Sequence, residues 1–228
     1  MIQSIRRTLP LFLALSALGA SLSAPAQFYK LHGDSLSVGG IGQFTTPLTS
    51  STSSGVYNVP FRTGATTYST TISNQQQGTT NSAGFLVSLQ MQPAWWAGVE
   101  FNYAFTHYSE RYNFNYSNTT TRQGAGFPTD AHEATAAYSF HPRHIPLQPF
   151  LNIGGGAIDF APRNASNQWR GAGLAELGID LPTPSKHLAF RIEGRALVYR
   201  APNFYYSAIS TRSWRVTEEP SISATYKF

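Results

Sequence analysis

The sequence predicts an all-β fold, an eight-stranded antiparallel up-and-down transmembrane β-barrel with long extracellular loops and short periplasmic turns. Three observations predict it: eight successive segments alternate apolar and polar residues, their connections alternate between long and short, and charged residues are scarce. Charged residues make up 12% of the chain, against about 25% in typical soluble domains. Eight alternating segments of about ten residues are the sequence pattern of a small transmembrane barrel.

The N-terminal segment, residues 1–26, is predicted to be a signal peptide and not part of the fold. Arg6 and Arg7 precede a mostly apolar stretch, and small residues precede a cleavage position after Ala26. The apolar stretch is shorter than the ~20 residues that a membrane-spanning helix needs. The barrel domain is therefore predicted to comprise residues 27–228, which contain no cysteine and no later apolar run of that length.

The eight alternating segments are the predicted strands. They run over residues 35–45, 82–91, 97–108, 131–140, 150–159, 170–181, 189–199 and 216–228. In the first of them, Leu36 and Val38 lie on one side while Ser37 and Gln43 lie on the other. Alternation with a period of two is typical of a strand that has one apolar face and one polar face.

The connections between the predicted strands differ in length. The long tracts, rich in Ser, Thr, Asn and Gln, are residues 48–81, 109–128 and 201–215. The short links are residues 92–94, 141–146 and 182–186. Outer-membrane barrels show this asymmetry, with the short turns in the periplasm. An even number of strands places both termini on the periplasmic side as well.

The composition of the polar face indicates which face points outward. A soluble barrel would show the same alternation with its apolar side chains inside. Here the polar face carries mostly Gly, Ser, Thr, Asn and Gln with a few charges of both signs, which suits the narrow interior of an eight-stranded barrel. In the segment AFRIEGRALVY, Ile192 and the other apolar residues are therefore predicted to meet lipid. Arg191, Glu193 and Arg195 are predicted to point inward.

The inward charges are predicted to form a lumen charge network. Its members are Glu100, Glu133, Arg170, Glu176, Arg191, Glu193, Arg195, Glu219 and Lys227. The network is compatible with a gated polar pore or with a solid polar core. Eight strands favour the solid core, because side chains fill an interior of that width.

Aromatic residues are expected to form two belts at the membrane interfaces. Beside the short turns lie Trp95, Trp96, Phe140 and Phe150. At or near the long loops lie Tyr103, Phe105, Tyr108, Tyr112, Tyr199, Tyr205, Tyr206 and Trp214.

The C-terminal sequence S-I-S-A-T-Y-K-F is the most specific motif in the chain. Its alternating residues Ile222, Ala224, Tyr226 and Phe228 resemble the β-signal that the outer-membrane barrel assembly machinery reads. With the eight segments and the stretches P-F-L-N-I-G-G-G and G-A-G-L-A-E-L-G, the chain resembles the OmpA/OmpX-type outer-membrane β-barrel superfamily. The resemblance implies a protein of the outer membrane of Gram-negative bacteria, surrounded by outer-membrane lipids and lipopolysaccharide. It also implies insertion from the periplasm with the help of periplasmic chaperones and the assembly machinery.

The predicted function is non-catalytic: a structural or surface-interaction role of a monomeric barrel through its extracellular loops. No cofactor is expected, and no metal site, because His141 and His144 lie in a short turn without a third ligand nearby. The lysines and arginines are scattered, which excludes a nucleic-acid interface. One alternative is a narrow, porin-like pore of low conductance.

A second alternative is an enzyme. The sequence T-H-Y-S-E is similar to the His-x-Ser motif of PagL-type lipid A deacylases, which are eight-stranded barrels. His107 would be the general base and Ser109 the nucleophile, with Glu110 or another acid orienting the histidine. In this chain the motif lies on the third predicted strand instead of near the sixth, and Glu110 is expected on the opposite face.

The predicted faces of residues 189–199 have a direct test. Ile192→Arg places a charge near the bilayer midplane and should lower the free energy of unfolding by ~2–4 kcal/mol. Urea titration of the barrel folded in lipid vesicles measures this loss. Arginine tolerated at position 192 but not at position 193 would mean that the two faces are exchanged.

Overall fold

The computed structural model describes residues 34–46, 51–59, 66–116, 123–142, 144–145, 147–211 and 213–228. The predicted signal peptide, residues 1–26, lies outside these described ranges. Within them, no helix is long and apolar enough to cross a bilayer.

The described residues form ten antiparallel strands. They are β1 (Ser35–Thr45), β2 (Ser51–Val59), β3 (Thr66–Thr79), β4 (Ser82–Met91), β5 (Ala97–Tyr116), β6 (Gln123–Phe140), β7 (Pro149–Pro162), β8 (Gln168–Pro182), β9 (Leu188–Arg200) and β10 (Trp214–Lys227). Eight of them close into a ring in the order β1, β4, β5, β6, β7, β8, β9 and β10. The ring is closed by β1 and β10, which pair from Ser35 opposite Lys227 to Thr45 opposite Thr217. The predicted eight-stranded up-and-down barrel is confirmed.

The first long tract, residues 48–81, was expected to be a loop, and this prediction is wrong. It contains β2 and β3, which form a hairpin. The hairpin extends the barrel wall upward, because β3 pairs with the upper half of β5, with Gln76 opposite Asn113. Alternation of apolar and polar residues does not reveal these strands, since both of their faces are largely polar.

The tract 109–128 is also more ordered than expected. Strand β5 continues to Tyr116, and β6 begins at Gln123. The two strands pair from Ala97 opposite Phe140 up to Phe114 opposite Gln123. The loop between them is therefore short, and the sheet itself continues above the apolar part of the barrel.

The outer surface of the ring is an apolar band. Large apolar side chains are exposed around it, among them Val38, Phe85, Phe101, Tyr138, Ile153, Leu177, Phe190, Ile192 and Ile222. On the inner side, side chains at the alternate positions are buried and mostly polar or charged. This is the surface chemistry of a transmembrane β-barrel, whose strands alternate apolar residues outside with polar residues inside.

Candidate functional site

The structure places seven of the nine predicted lumen charges together in the barrel interior. All seven are at most 4% exposed: Glu100, Glu133, Glu176, Arg191, Glu193, Arg195 and Glu219. Arg170 and Lys227 are half-buried and lie apart from this cluster. Arg170 donates a hydrogen bond to Asn203 (3.4 Å), and Lys227 donates one to Gln148 near the periplasmic turns (2.8 Å), where its charge also acts on Asp180.

Arg195 is the centre of the middle layer of the interior. Its Nε donates to Glu176 Oε1 (2.6 Å) and its Nη1 donates to Glu219 Oε2 (2.9 Å). Its Nη2 donates to Glu133. One guanidinium thus joins carboxylates from three other strands, β6, β8 and β10.

Glu176 receives further hydrogen bonds in the same layer. Asn102 donates to its Oε1 (3.0 Å) and Asn152 donates to its Oε2 (2.7 Å). Both amides are themselves buried. The middle layer therefore connects β5 and β7 to the other strands through polar contacts alone.

Arg191 is the centre of the lower layer, toward the periplasmic turns. Its Nε donates to Asp180 Oδ1 (2.8 Å), its Nη1 to Glu100 Oε2 (2.8 Å) and its Nη2 to Gln90 Oε1 (3.2 Å). The guanidinium also lies 4.4 Å from the ring centroid of Phe150. The expectation that Phe150 belongs to an interfacial belt is wrong: its side chain is buried beneath Arg191, where a cation and an aromatic face attract each other.

His141 belongs to this lower layer as well. It was expected to lie in a solvated turn, but its side chain is completely buried. Its Nε2 is 3.6 Å from Asp180 Oδ2, and its Nδ1 is 3.2 Å from Gln90 Nε2. The alternation of the strand continues one residue beyond the predicted end, so that His141 points to the inner side directly after the outward-facing Phe140.

An ion pair that was not predicted closes the upper part of the interior. Arg215 makes a bidentate contact with Glu110, at 2.5 Å and 3.1 Å, and both side chains are buried. Gln77 donates to Glu110 Oε1 from the β2–β3 hairpin (2.7 Å). The sequence does indicate the direction of Arg215. It lies an even number of positions from Glu219 on β10, so both side chains point to the same face. Glu110 likewise lies an even number of positions from Glu100 on β5, but the predicted strand ended at residue 108 and did not include it.

Aromatic residues fill the space between the middle layer and the mouth. Tyr108, Tyr112 and Tyr199 were expected in the outer belt, but all three are buried inside. They belong to one apolar cluster with Phe127, Phe160, Leu197 and Phe204. Tyr199 lies four positions from Arg195 on β9, so its side chain points to the same inner face.

The segment 201–211, between β9 and β10, folds over the mouth of the barrel. Gln77 donates to Pro202 O (2.6 Å), and Gln168 Oε1 accepts hydrogen bonds from the backbone of Asn203 and Phe204 (2.8 and 3.0 Å). The Phe204 side chain is buried beneath the segment. Glutamine side chains thus hold the segment in place by pairing its backbone.

The described residues leave a small cavity in the barrel interior. Between Glu133, Glu219 and the aromatic layer lies a cavity of about 10 Å³, lined also by Thr106, Thr217 and Tyr199. A cavity of this size holds about one water molecule. Within the described residues, no group of three or more histidines, aspartates or glutamates is arranged to hold a metal ion.

The C-terminal alternating residues lie on the outer face of β10. Ile222, Tyr226 and Phe228 are all largely exposed, and Ala224 lies between them. Strand β10 pairs there with β1, with Tyr226 opposite Leu36. The Tyr226 and Phe228 rings are 5.3 Å apart between centroids.

His107 and Ser109 lie on the outer side of β5, just above the apolar band. His107 Nδ1 is 2.5 Å from Asp130 Oδ1, and both side chains are partly exposed. Glu110 points into the barrel and pairs with Arg215, so it is not the acid beside His107. Among the described residues, no hydrogen bond joins the Ser109 hydroxyl to His107.

Comparisons with known proteins find structural similarity without sequence similarity. No family model matches the chain, and no curated protein sequence matches it. OprG, an outer membrane protein from Pseudomonas aeruginosa, is 14% identical, with a TM-score of 0.48 over 86% of this chain and 96% of OprG. Ail, the attachment invasion locus protein of Yersinia pestis, is 12% identical, with a TM-score of 0.40 over 86% and 99%. The outer membrane protein AlkL is 14% identical, with a TM-score of 0.44 over 90% and 95%.

The architecture of the barrel indicates the class of protein. A closed antiparallel barrel of eight strands with an apolar outer band is the architecture of bacterial outer-membrane proteins. The chain is an outer-membrane β-barrel protein.

The Arg195 cluster has a direct test. Arg195→Met should lower the free energy of unfolding by ~3–5 kcal/mol, because three buried glutamates lose their shared cation. Urea titration in lipid vesicles measures the change. Arg163→Met, in the exposed β7–β8 connection, is the control and should stay within about 0.5 kcal/mol of the wild type. Equal stability of the two variants would contradict a structural role of the cluster.

Proposed function

We propose that this chain is a non-catalytic integral outer-membrane protein that acts at the cell surface through its extracellular strands and loops. One observation carries the proposal: the interior is filled, while a polar sheet continues beyond the apolar band. The filled interior supports a role other than transport, and the sheet supplies a surface that the membrane does not cover.

The outward residues of β5 mark where the membrane ends. They are apolar up to Phe105, and from His107 onward they are polar, through Ser109 and Arg111 to Asn113. The ten residues from 107 to 116 correspond to about 33 Å of strand, at about 3.3 Å per residue. Since β2, β3 and β6 accompany this part of β5, a four-stranded sheet extends above the bilayer.

The two sides of this sheet have different chemistry. The inner side packs Ile72 and Phe114 against Ala208 of the segment that covers the mouth. The outer side exposes Gln76 and Arg111. Amide and hydroxyl groups with few charges suit hydrogen bonding to the hydroxyls of a carbohydrate or to a polar protein surface. This chemistry supports recognition at the cell surface.

The C-terminal motif and the strand pattern support a place in the OmpA/OmpX-type superfamily. We therefore also propose the partners that this resemblance implies. They are the barrel assembly machinery and periplasmic chaperones during biogenesis, then outer-membrane lipids and lipopolysaccharide around a monomeric barrel. Residues 1–26 would direct export and be removed.

A second candidate function is lipid hydrolysis at the outer surface. The contact between His107 and Asp130 favours it, because an acid that orients a histidine is one part of a catalytic triad. The missing hydrogen bond from Ser109 favours the non-catalytic function.

The two alternatives, enzyme and pore, are tested together. Mass spectrometry of lipid A incubated with the wild type and with Ser109→Ala should give identical spectra, and planar bilayers should show no discrete conductance steps. Deacylated lipid A from the wild type alone, or stable conductance steps, would contradict the proposal.

The proposed surface role is tested by removing the β2–β3 hairpin. In the variant, residues 47–80 are replaced by an Asn-Gly turn, which joins β1 to β4 directly. The barrel in lipid nanodiscs is applied to a glycan array and to a panel of immobilised extracellular proteins. The variant should bind at least about tenfold more weakly than the wild type, which corresponds to a loss of roughly 1.4 kcal/mol of binding free energy.

The matched control is Lys186→Ala, in the exposed turn between β8 and β9 on the periplasmic side. It should bind as the wild type does. A wild-type barrel that binds nothing on either array, or a hairpin variant that binds equally well, would refute the surface role.

A further inference from the structure

The barrel interior contains more acidic than basic groups. Among the described residues, the side chains buried inside it include seven carboxyls: Glu100, Glu110, Glu133, Glu176, Asp180, Glu193 and Glu219. The buried guanidiniums are three: Arg191, Arg195 and Arg215. If every group were ionised, the interior would carry four more negative than positive charges.

The imbalance lies in the lower and middle layers. Arg215 and Glu110 form a balanced pair in the upper part. Arg191 has two carboxyl partners, and Arg195 has three. Among the described residues, Glu193 has no salt-bridge partner: its Oε1 accepts a hydrogen bond from Ser221 (2.8 Å), and its Oε2 has no hydrogen-bond partner there.

Among the described residues, one further cation lies near the lower layer: the half-buried Lys227 of β10, which donates to Gln148 and whose charge acts on Asp180. The charged groups that face the two layers are Glu100 of β5, Glu133 of β6, Glu176 and Asp180 of β8, Arg191 and Arg195 of β9, and Glu219 of β10, with His141 beside Asp180. The buried polar side chains of β1, β4 and β7 are uncharged and include Ser37, Gln90 and Asn152. Even with His141 and Lys227 as cations, the six carboxyls of the two layers remain in excess.

Two spaces border these carboxyls among the described residues. Glu193 borders an open groove on the outer side of the sheet, lined also by Gly40, Ile192 and Ile222, which faces lipid and not water. The cavity beside Glu133 and Glu219 has room for about one water molecule. The described residues contain no group of three or more acidic or histidine side chains with the geometry of a metal site. A buried carboxyl without a compensating charge avoids the large cost of desolvation by staying protonated.

We propose that the folded interior is a proton-binding site, in which Glu193, the buried carboxyl without a guanidinium partner, keeps a proton at neutral pH. The inference is independent of the surface role and of the enzyme alternative. Its ligand is the proton, and the site is built from the geometry of the closed barrel. The unfolded chain has no such site, because its glutamates titrate near the ordinary pKa of about 4.3.

The consequence is a stability that falls as pH rises. At neutral pH the folded chain binds more protons than the unfolded chain, so folding takes up protons from solution. For each proton taken up on folding, the folding equilibrium constant falls about tenfold for every unit by which the pH rises, over the range in which the folded state retains that proton. Between pH 6 and pH 8, one retained proton therefore corresponds to about a hundredfold loss.

The experiment measures proton uptake directly. The purified chain is refolded from urea into phosphatidylcholine vesicles in weakly buffered solution at pH 7 with a pH indicator. The wild type should raise the pH on folding, and urea titrations should give a lower unfolding midpoint at pH 8 than at pH 6. Glu193→Gln, which replaces a protonated carboxyl by a neutral amide, should take up fewer protons and show a shallower pH dependence.

The matched control is Glu218→Gln on the exposed outer face of β10, which should behave as the wild type does. Wild-type folding without proton uptake, or with a stability that rises between pH 6 and pH 8, would overturn the proposal. A stability that instead increases with Na⁺ or K⁺ concentration would identify a bound cation as the compensating charge. Because uptake is measured on the wild type, the result does not depend on whether Glu193→Gln folds.

Discussion

Inside a bilayer there is no water to pair with a free backbone amide or carbonyl, so every membrane-spanning strand needs a neighbour on each side. The pairing of β1 with β10 supplies the last neighbour and closes the ring. Closure with only eight strands leaves an interior that side chains can fill. The packing of the interior and the exposure of the apolar band both follow from this closure.

A narrow interior determines what its charges can do. Arg191 and Arg195 cannot reach bulk water, and they are surrounded by side chains from most of the ring. Each guanidinium has donors in several directions, so a single arginine holds strands that are far apart in sequence. The aromatic cluster above them excludes water from the ion pairs. Glutamines hold segment 201–211 in place and connect this cluster to the extracellular sheet.

The sequence was informative where one face of a strand meets lipid. The bounds of β1 and β4 agree with the predicted segments to the residue, because the apolar band makes their alternation regular. The same pattern is lost in β2 and β3, where both faces are polar and the strands depend on backbone pairing. Parity also indicated which charges point inward, but it carried no information on which carboxyl each arginine contacts. Those partners are set by the tilt and stagger of the strands around the ring, which bring Glu133 and Glu219 to the same guanidinium.

Some errors came from the ends of the strands. Tyr108 and Tyr199 were assigned to the interface by their nearness to loops, although their parity matches that of inward residues. His141 was assigned to a turn because the turn was taken to begin directly after Phe140. In each case the direction of the side chain followed the pleat of the strand beyond the point where the apolar pattern stops.

The strict alternation along β9 limits how the gene for this protein can change its length. Deleting one codon between Arg191 and Arg195 would turn every later side chain of the strand to the opposite face, so that arginine would meet acyl chains and valine would meet carboxylates. Deleting two codons would preserve the faces and shorten the strand. Changes in length by odd numbers are therefore confined to the connections, and the membrane-spanning parts of the gene accept them only in pairs.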